Sequence, residues 1–82
     1  MKARHIYPAI FSYDDDGISV EFPDLPGCLT AGQNTEEAVK NAKEVLMLVL
    51  SGLEEDVVDI PEPSNIASLH LETGQTIVLI EV

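Results

Sequence analysis

Hydrophobic and polar residues alternate with a period of two along two consecutive stretches near the start of the chain. Residues 5–13 are rich in aromatic and β-branched side chains, and residues 18–22 alternate strictly between apolar and polar. Such alternation is typical of half-buried β-strands, and the Asp16-Gly17 pair between the two stretches is a strong turn signal. The pattern therefore predicts a β-hairpin. Pro8 has no N–H to donate, so we expect it near the strand start or facing an unpaired edge.

The alternation stops at residues 22–28, FPDLPGC, which contain two prolines and a glycine. A short and mostly apolar stretch follows at residues 28–31 and ends before Gly32. We predict a rigid corner and then a short third strand, so that the first three strands form an antiparallel meander.

The corner also contains the only cysteine of the chain, Cys28, which could be either a nucleophile or a core residue. A nucleophilic thiol needs a base within reach and an electropositive environment that lowers its pKa. Glu21 and Asp24 are close in sequence and would raise that pKa, and no sequence context brings His5 or His70 nearby. We therefore predict that Cys28 lies in the core and that both histidines are surface or half-buried residues.

The period of the pattern changes after Asn34, where apolar residues recur at spacings of three and four. Asn34 followed by Glu37 matches the capping-box pattern at a helix start. The apolar face would consist of Ala38, Ala42, Val45, Leu46, Val49 and Leu53. This spacing predicts an amphipathic helix from Thr35 to about Glu55.

The last stretch, residues 76–82, contains four consecutive apolar residues and does not alternate. Such a strand is usually covered on both faces, either inside a sheet or at a contact between subunits. The predicted element order is therefore β-β-β-α-β. We predict an α+β fold in which a right-handed crossover through the helix returns the last strand parallel to the first. One helix would then cover one face of a four-stranded sheet.

The charge of the chain restricts its partners. The 82 residues include 15 acidic and 4 basic side chains, which give a formal net charge of −11 at pH 7. Such a surface repels phosphate backbones, so we expect no direct nucleic-acid binding. It would accelerate the encounter with a basic protein, or it could simply maintain solubility. The length indicates one domain with a small core, and we expect a homodimer or homotetramer to supply further stability.

Signals for cofactors, metals and membranes are missing from the sequence. The histidines and the cysteine do not have zinc-site spacing, and there is no glycine-rich phosphate loop. Residues 1–10 are too short and too polar for a secretory signal. The apolar run at residues 45–50 is far shorter than the roughly 20 residues of a membrane span. We predict a soluble cytoplasmic protein with no cofactor and no membrane contact.

Acidic residues at the two ends of the second strand are the candidate functional residues. They are Asp14, Asp15, Asp16, Glu21 and Asp24. They could form a solvated turn, a contact surface for a basic partner, or a metal site. A small metal-dependent nuclease needs several carboxylates converging on a cation, and Asp16, Glu21 and Asp24 would be its ligands. An oligomeric regulatory module is a further alternative.

Four motifs occur in a specific order along the chain: YPAIF before the acidic turn, then VEFPDLPGCLTAG, NTEEAVKNAKEVL and IPEPS. Together they resemble the HicB-like antitoxins of bacterial and archaeal toxin–antitoxin pairs. The resemblance covers residues 7–64 and extends loosely through TIVLIEV. It implies a partial ribonuclease-H-like fold without the carboxylate set of the nuclease, and hence an inhibitor and not an enzyme.

The resemblance also implies a partner, a small basic toxin of the HicA-like mRNA interferase type. Its catalytic histidine would be covered by the antitoxin, and the five acidic residues would face the surface where RNA phosphates otherwise bind. Many family members continue into a DNA-binding domain. We expect residues 1–82 to form a single HicB-like antitoxin domain without that addition.

Overall fold

The predicted hairpin is present in the computed structural model, which describes residues 5–82. It consists of β1 (Ile6–Asp14) and β2 (Gly17–Glu21), which pair antiparallel. Asp14 pairs with Gly17, so only two residues form the turn. Gly17 has φ +136°, a conformation that L side chains rarely adopt. The glycine of the Asp-Gly signal is therefore required by the turn itself.

Pro8 lies within β1, the strand that has neighbours on both sides. His5 and Val82 each donate a backbone N–H to the carbonyl of the other. Because ladder hydrogen bonds alternate along an antiparallel strand, odd-numbered residues of β1 bond on that side and even-numbered residues bond toward β2. The backbone nitrogen of Pro8 therefore points toward β2, but β2 ends at Glu21, which pairs with Ile10. Pro8 thus has no strand partner on that side. The expectation of an unpaired position for Pro8 is confirmed.

The corner and the third strand follow the prediction closely. The strand β3 (Leu29–Gly32) pairs antiparallel with β2 and completes the meander, beginning one residue later than predicted. Within the corner, Leu25 donates its N–H to the Phe22 carbonyl and Cys28 donates to that of Leu25. Phe22 in turn donates to Cys28, which closes the corner into a compact turn.

The helix α1 (Thr35–Glu55) has the predicted bounds. The Asn34 side-chain oxygen accepts the Glu37 N–H at 2.9 Å, as an N-cap does. The Glu37 carboxylate accepts the N–H of Gln33 and not that of the cap residue, so the capping box is shifted by one position. The side chains buried along α1 are Ala38, Ala42, Leu46 and Leu50. Their spacing of four places a single apolar stripe against the sheet.

The last strand runs in the opposite direction to the one predicted. The strand β4 (Gln75–Glu81) pairs with β1 antiparallel, so the expected parallel crossover is wrong. After α1 the chain returns to one end of β1, where the Tyr7 hydroxyl donates to the Pro61 carbonyl. It then runs to the other end, where Tyr13 donates its N–H to the Gly74 carbonyl. This segment includes a 3₁₀ turn (Ile66–Ser68). Because it ends beside Tyr13, β4 starts at that end of β1 and runs antiparallel to it.

The sheet has the order β3-β2-β1-β4, and its core lies between one face and α1. The largest fully buried hydrophobic side chains of this core are Tyr7, Phe11, Val20 and Ile80 on the sheet and Leu46 on α1. On the other face Leu29 is 62% exposed and Leu79 is 53% exposed. β4 is an edge strand, so the prediction that it is covered on both faces is not met within one chain. A contact between subunits at β4 stays a prediction.

Candidate functional site

The five candidate acidic residues form two separate groups. Asp14, Asp15 and Asp16 occupy the hairpin turn, and all three are exposed. Glu21 lies at the opposite end of β2, about 13 Å from Gly17 at the strand rise per residue. Asp24 follows it in the corner. A partner that contacts both groups must therefore span the length of β2.

The hairpin turn organises its own first carboxylate. The Asp14 side chain accepts the backbone N–H of Asp16 at 2.8 Å, a local arrangement common for aspartate in turns. Asp14, Asp16 and Glu37 line a shallow depression of about 270 Å³ between the turn, the end of β3 and the start of α1. With three carboxylates at its margin, this depression favours a positively charged side chain over an anionic ligand.

Asp24 makes contacts inside the chain. Its carboxylate accepts the Ser64 backbone N–H at 2.9 Å and also the Ser64 hydroxyl. Burial raises the pKa of the neighbouring Tyr7, and the charges of Asp24 and Glu62 raise it further. Asp24 therefore connects the corner to the segment after α1, a role that the sequence did not indicate.

The alternative metal site is not assembled. Asp16 and Glu21 stand at opposite ends of β2, so they cannot share one cation with Asp24. Within residues 5–82 there is no group of three His, Cys, Asp or Glu side chains arranged to hold a metal ion.

Cys28 is fully buried in the cluster of core side chains, as predicted. Burial raises the pKa of its thiol above the ordinary value of 9.0, which disfavours the nucleophilic thiolate. His5 is half-buried and its ring stacks on Tyr7, with centroids 6.4 Å apart, while His70 is exposed. The predicted placements of both histidines are confirmed.

The end of α1 was not among the functional sites predicted from the sequence. Val57 donates its N–H to the Glu54 carbonyl, and Val58 donates to that of Leu53. These two bonds form a Schellman motif, whose residue after the cap has positive φ and is usually glycine. Here that residue is Val57, at φ 54°. A β-branched residue in this conformation is a genuine outlier.

Exposed apolar side chains lie along the last turns of α1 and just after its end. Val57 is 91% exposed, Leu48 73% and Met47 50%. On the helix, Ser51 lies one turn after Met47 and Leu48, and Glu54 and Glu55 lie one turn after Ser51. We call this surface the α1 C-terminal surface: Met47, Leu48, Ser51, Glu54, Glu55 and Val57. A sequence signal existed in EEDVVD, because it combines acids at a helix end with the absence of Gly, Lys and Arg.

The structure is thus a small acidic α+β domain with a buried thiol and with its candidate acids in two separate groups. Residues 7–82 match the family described as "HicB_like antitoxin of bacterial toxin-antitoxin system". The chain is 37% identical over 77 residues to Antitoxin HicB 2 of Photorhabdus laumondii, covering 94% of this chain and 55% of that protein. This chain belongs to the HicB-like antitoxin family.

A second relative is a 14.9 kDa protein of Haemophilus phage HP1, 38% identical over 61 residues, which cover 74% of this chain and 46% of that protein. The chain thus spans about half the length of these two relatives.

Two solved structures have the same fold. A toxin–antitoxin complex from Streptococcus pneumoniae contains a chain that is 27% identical, with a TM-score of 0.87 over 96% of this chain and 69% of that one. The N-terminal domain of Burkholderia pseudomallei antitoxin HicB has a TM-score of 0.79 over 95% of this chain and 98% of that one. Its identity is 23%, so it supports the fold alone.

Proposed function

We propose that this chain binds and neutralises a small basic toxin that degrades mRNA, of the HicA-like mRNA interferase type. It would do so by covering the RNA-binding and catalytic surface of the toxin. The observation that carries this proposal is the match of residues 7–82 to the HicB-like antitoxins. The fold it shares with a chain of a toxin–antitoxin complex supports it further.

The charge of the chain suits this role. A net charge of −11 and exposed acids at both ends of β2 would attract a basic protein whose natural ligand is a polyanion. Electrostatic complementarity of this kind mainly accelerates encounter and selects the partner. Repulsion between these acids and phosphate argues against direct nucleic-acid binding by these residues.

We propose that the function is inhibitory and not catalytic. The buried thiol of Cys28 and the separation of Asp16 from Glu21 support this, because neither a nucleophile nor a cation cluster is assembled. No helix among residues 5–82 has the length and apolar character of a membrane span. We place the protein in the cytoplasm, where its proposed partner would meet mRNA.

A homodimer or homotetramer through β4 is the proposed assembly state. The strand is seven residues long, contains four consecutive apolar residues, and carries no proline or lysine that would block pairing with another strand. Leu79→Lys should reduce the assembled fraction in light scattering, whereas Leu29→Lys on the opposite edge of the sheet should not. Because each chain is acidic, added salt should strengthen this assembly. A monomer at micromolar concentration would refute it.

The test of the inhibitor function is co-purification with the small basic protein encoded beside the gene. One partner carries a tag, and the pull-down is repeated across salt concentrations. We expect a complex that weakens as salt rises and that suppresses the RNA cleavage of the neighbour. Absence of a complex would favour an oligomeric module without a toxin. Metal-dependent RNA cleavage by the chain alone would favour the nuclease.

A further inference from the structure

The geometry points to the α1 C-terminal surface as the apolar anchor that this chain inserts into a basic partner protein. This inference rests on the proposed function, because the partner is the toxin proposed above. It differs from the sequence-based prediction, which assigned partner binding to the acids around β2.

Two local features of this helix end are unfavourable for the folded chain by itself. Val57 holds φ 54°, a region that costs an L-residue free energy and that glycine enters freely. The last turn and the cap carry Glu54, Glu55 and Asp56 and no basic side chain, although the negative end of the helix dipole favours cations. Both the backbone and the charges would be more stable with other residues.

Burial does not compensate for the strained backbone of Val57. The Val57 side chain is 91% exposed, so it contributes almost nothing to the core. The motif needs only the two backbone hydrogen bonds, which glycine would also make. Leu48, which is 73% exposed, likewise projects away from the apolar stripe that packs on the sheet. The apolar side chains of this surface are therefore available to another molecule.

The acids around these side chains indicate the chemistry of that molecule. Glu54, Glu55 and Asp56 are exposed beside Val57, and Glu44 lies one helical turn before Leu48. Lys43 lies one turn before Met47, so the rim carries four acids and one base. An apolar centre with a charged rim is the usual anatomy of a protein interface. An acidic rim fits a basic partner and opposes a second copy of this acidic chain. The occupant we assign is therefore an apolar groove with basic margins on the toxin.

The decisive variant is Val57→Gly, because folding and binding should respond in opposite directions. Glycine relieves the positive φ, so we expect the melting temperature to rise, by about 4 °C for a domain of this size. It also removes the anchor, so we expect the Kd for the basic neighbour to increase about tenfold, as for the loss of an interface anchor. A purely structural role for Val57 would not produce this pair of changes.

Leu48→Gln is the second variant and Leu29→Gln is the matched control. Both leucines are highly exposed, but Leu29 lies on β3, on the face of the sheet opposite α1. We expect Leu48→Gln to weaken binding about tenfold and Leu29→Gln to change it less than about twofold. The probe is the co-expressed neighbour, repurified and titrated by calorimetry.

The outcomes separate this inference from the function on which it rests. If the unmodified chain binds the neighbour and Val57→Gly and Leu48→Gln bind equally well, the anchor is wrong and the inhibitor function stands. If the unmodified chain does not bind, both are overturned. If Leu29→Gln weakens binding as much as Leu48→Gln, the interface lies on the open face of the sheet and the assignment fails.

Discussion

The Asp24 carboxylate accepts two hydrogen bonds from Ser64, one from its backbone N–H and one from its hydroxyl. The residues are 40 positions apart, and α1 lies between them in sequence. This contact closes the path from the FPDLPGC corner around the helix to the PEPS segment. Two of the motifs by which the family is recognised are therefore joined in space.

Removing this contact should destabilise the fold. Because Asp24 is half-buried and accepts two bonds, Asp24→Ala should lower the free energy of unfolding by about 1–3 kcal/mol. Ser64→Ala should cost less, and the double variant should cost less than the sum, since the two residues interact. Urea denaturation measures all three values. Asp15→Ala, in the exposed turn, is the control and should change stability by less than about 0.5 kcal/mol. Additive effects of Asp24→Ala and Ser64→Ala would contradict the coupling.

The acidic hairpin turn should act on the rate of partner binding more than on its lifetime. Asp15→Asn with Asp16→Asn should slow association with the basic neighbour severalfold at low salt and leave dissociation nearly unchanged. Surface plasmon resonance at two salt concentrations measures both rates. Glu62→Gln with Glu72→Gln removes the same charge elsewhere, so an equal effect would mean that only net charge matters.

Stability should decline at alkaline pH through two buried groups. Burial raises the pKa of the Cys28 thiol above 9.0 and, with Asp24 and Glu62, that of the Tyr7 hydroxyl above 10.0. A raised pKa means that the folded state retains a proton that the unfolded state loses, so this stability is present below those values and is lost above them. Urea midpoints between pH 7 and pH 11 measure the decline. Tyr7→Phe should be less stable at neutral pH but should lose less stability between pH 9 and pH 11, and an unchanged slope would refute the assignment.

Two glycines should respond oppositely to replacement by alanine. A Cβ at Gly32 would lie 2.5 Å from the Ala38 backbone nitrogen, where β3 approaches α1, so Gly32→Ala should cost about 1–3 kcal/mol. Gly52 is inside α1 with nothing within 4 Å of an added Cβ, so Gly52→Ala should gain up to about 1 kcal/mol. Thermal unfolding of the pair tests the close approach. A harmless Gly32→Ala would mean that helix and sheet separate easily.

The sequence predicted the elements that local chemistry determines. The Asp16-Gly17 turn set the hairpin, and Asn34 with Glu37 set the start of α1, because each signal acts within a few residues. The direction of β4 has no such signal. It depends on which end of β1 the chain has reached when β4 starts. The segment from Pro61 to Gly74 runs from the Tyr7 end to the Tyr13 end, so β4 is antiparallel to β1. A shorter segment that stayed at the Tyr7 end would have made β4 parallel.

The candidate site was harder to predict for a related reason. Glu21 and Asp24 are only three positions apart, but Asp24 alone accepts hydrogen bonds from Ser64, which is 40 positions further along the chain. Val57 was not predicted as a special position because this kind of helix end is usually recognised by a glycine, and residues 56–59, DVVD, contain none. Its unusual backbone becomes visible only when φ is known.

The pairing of β1 with β4 joins residue 6 to residue 81. Contacts between positions so far apart form late in folding, because the intervening chain must first close a long loop. During translation, β1 therefore has no second neighbour until residues 75–81 have been synthesised, and Tyr7 lacks its partner Ile80 until then. A chain whose synthesis is interrupted before β4 lacks a completed sheet. Cellular proteases can degrade such an incompletely folded chain. The complete four-stranded sheet would thus appear in one step, once β4 has been synthesised.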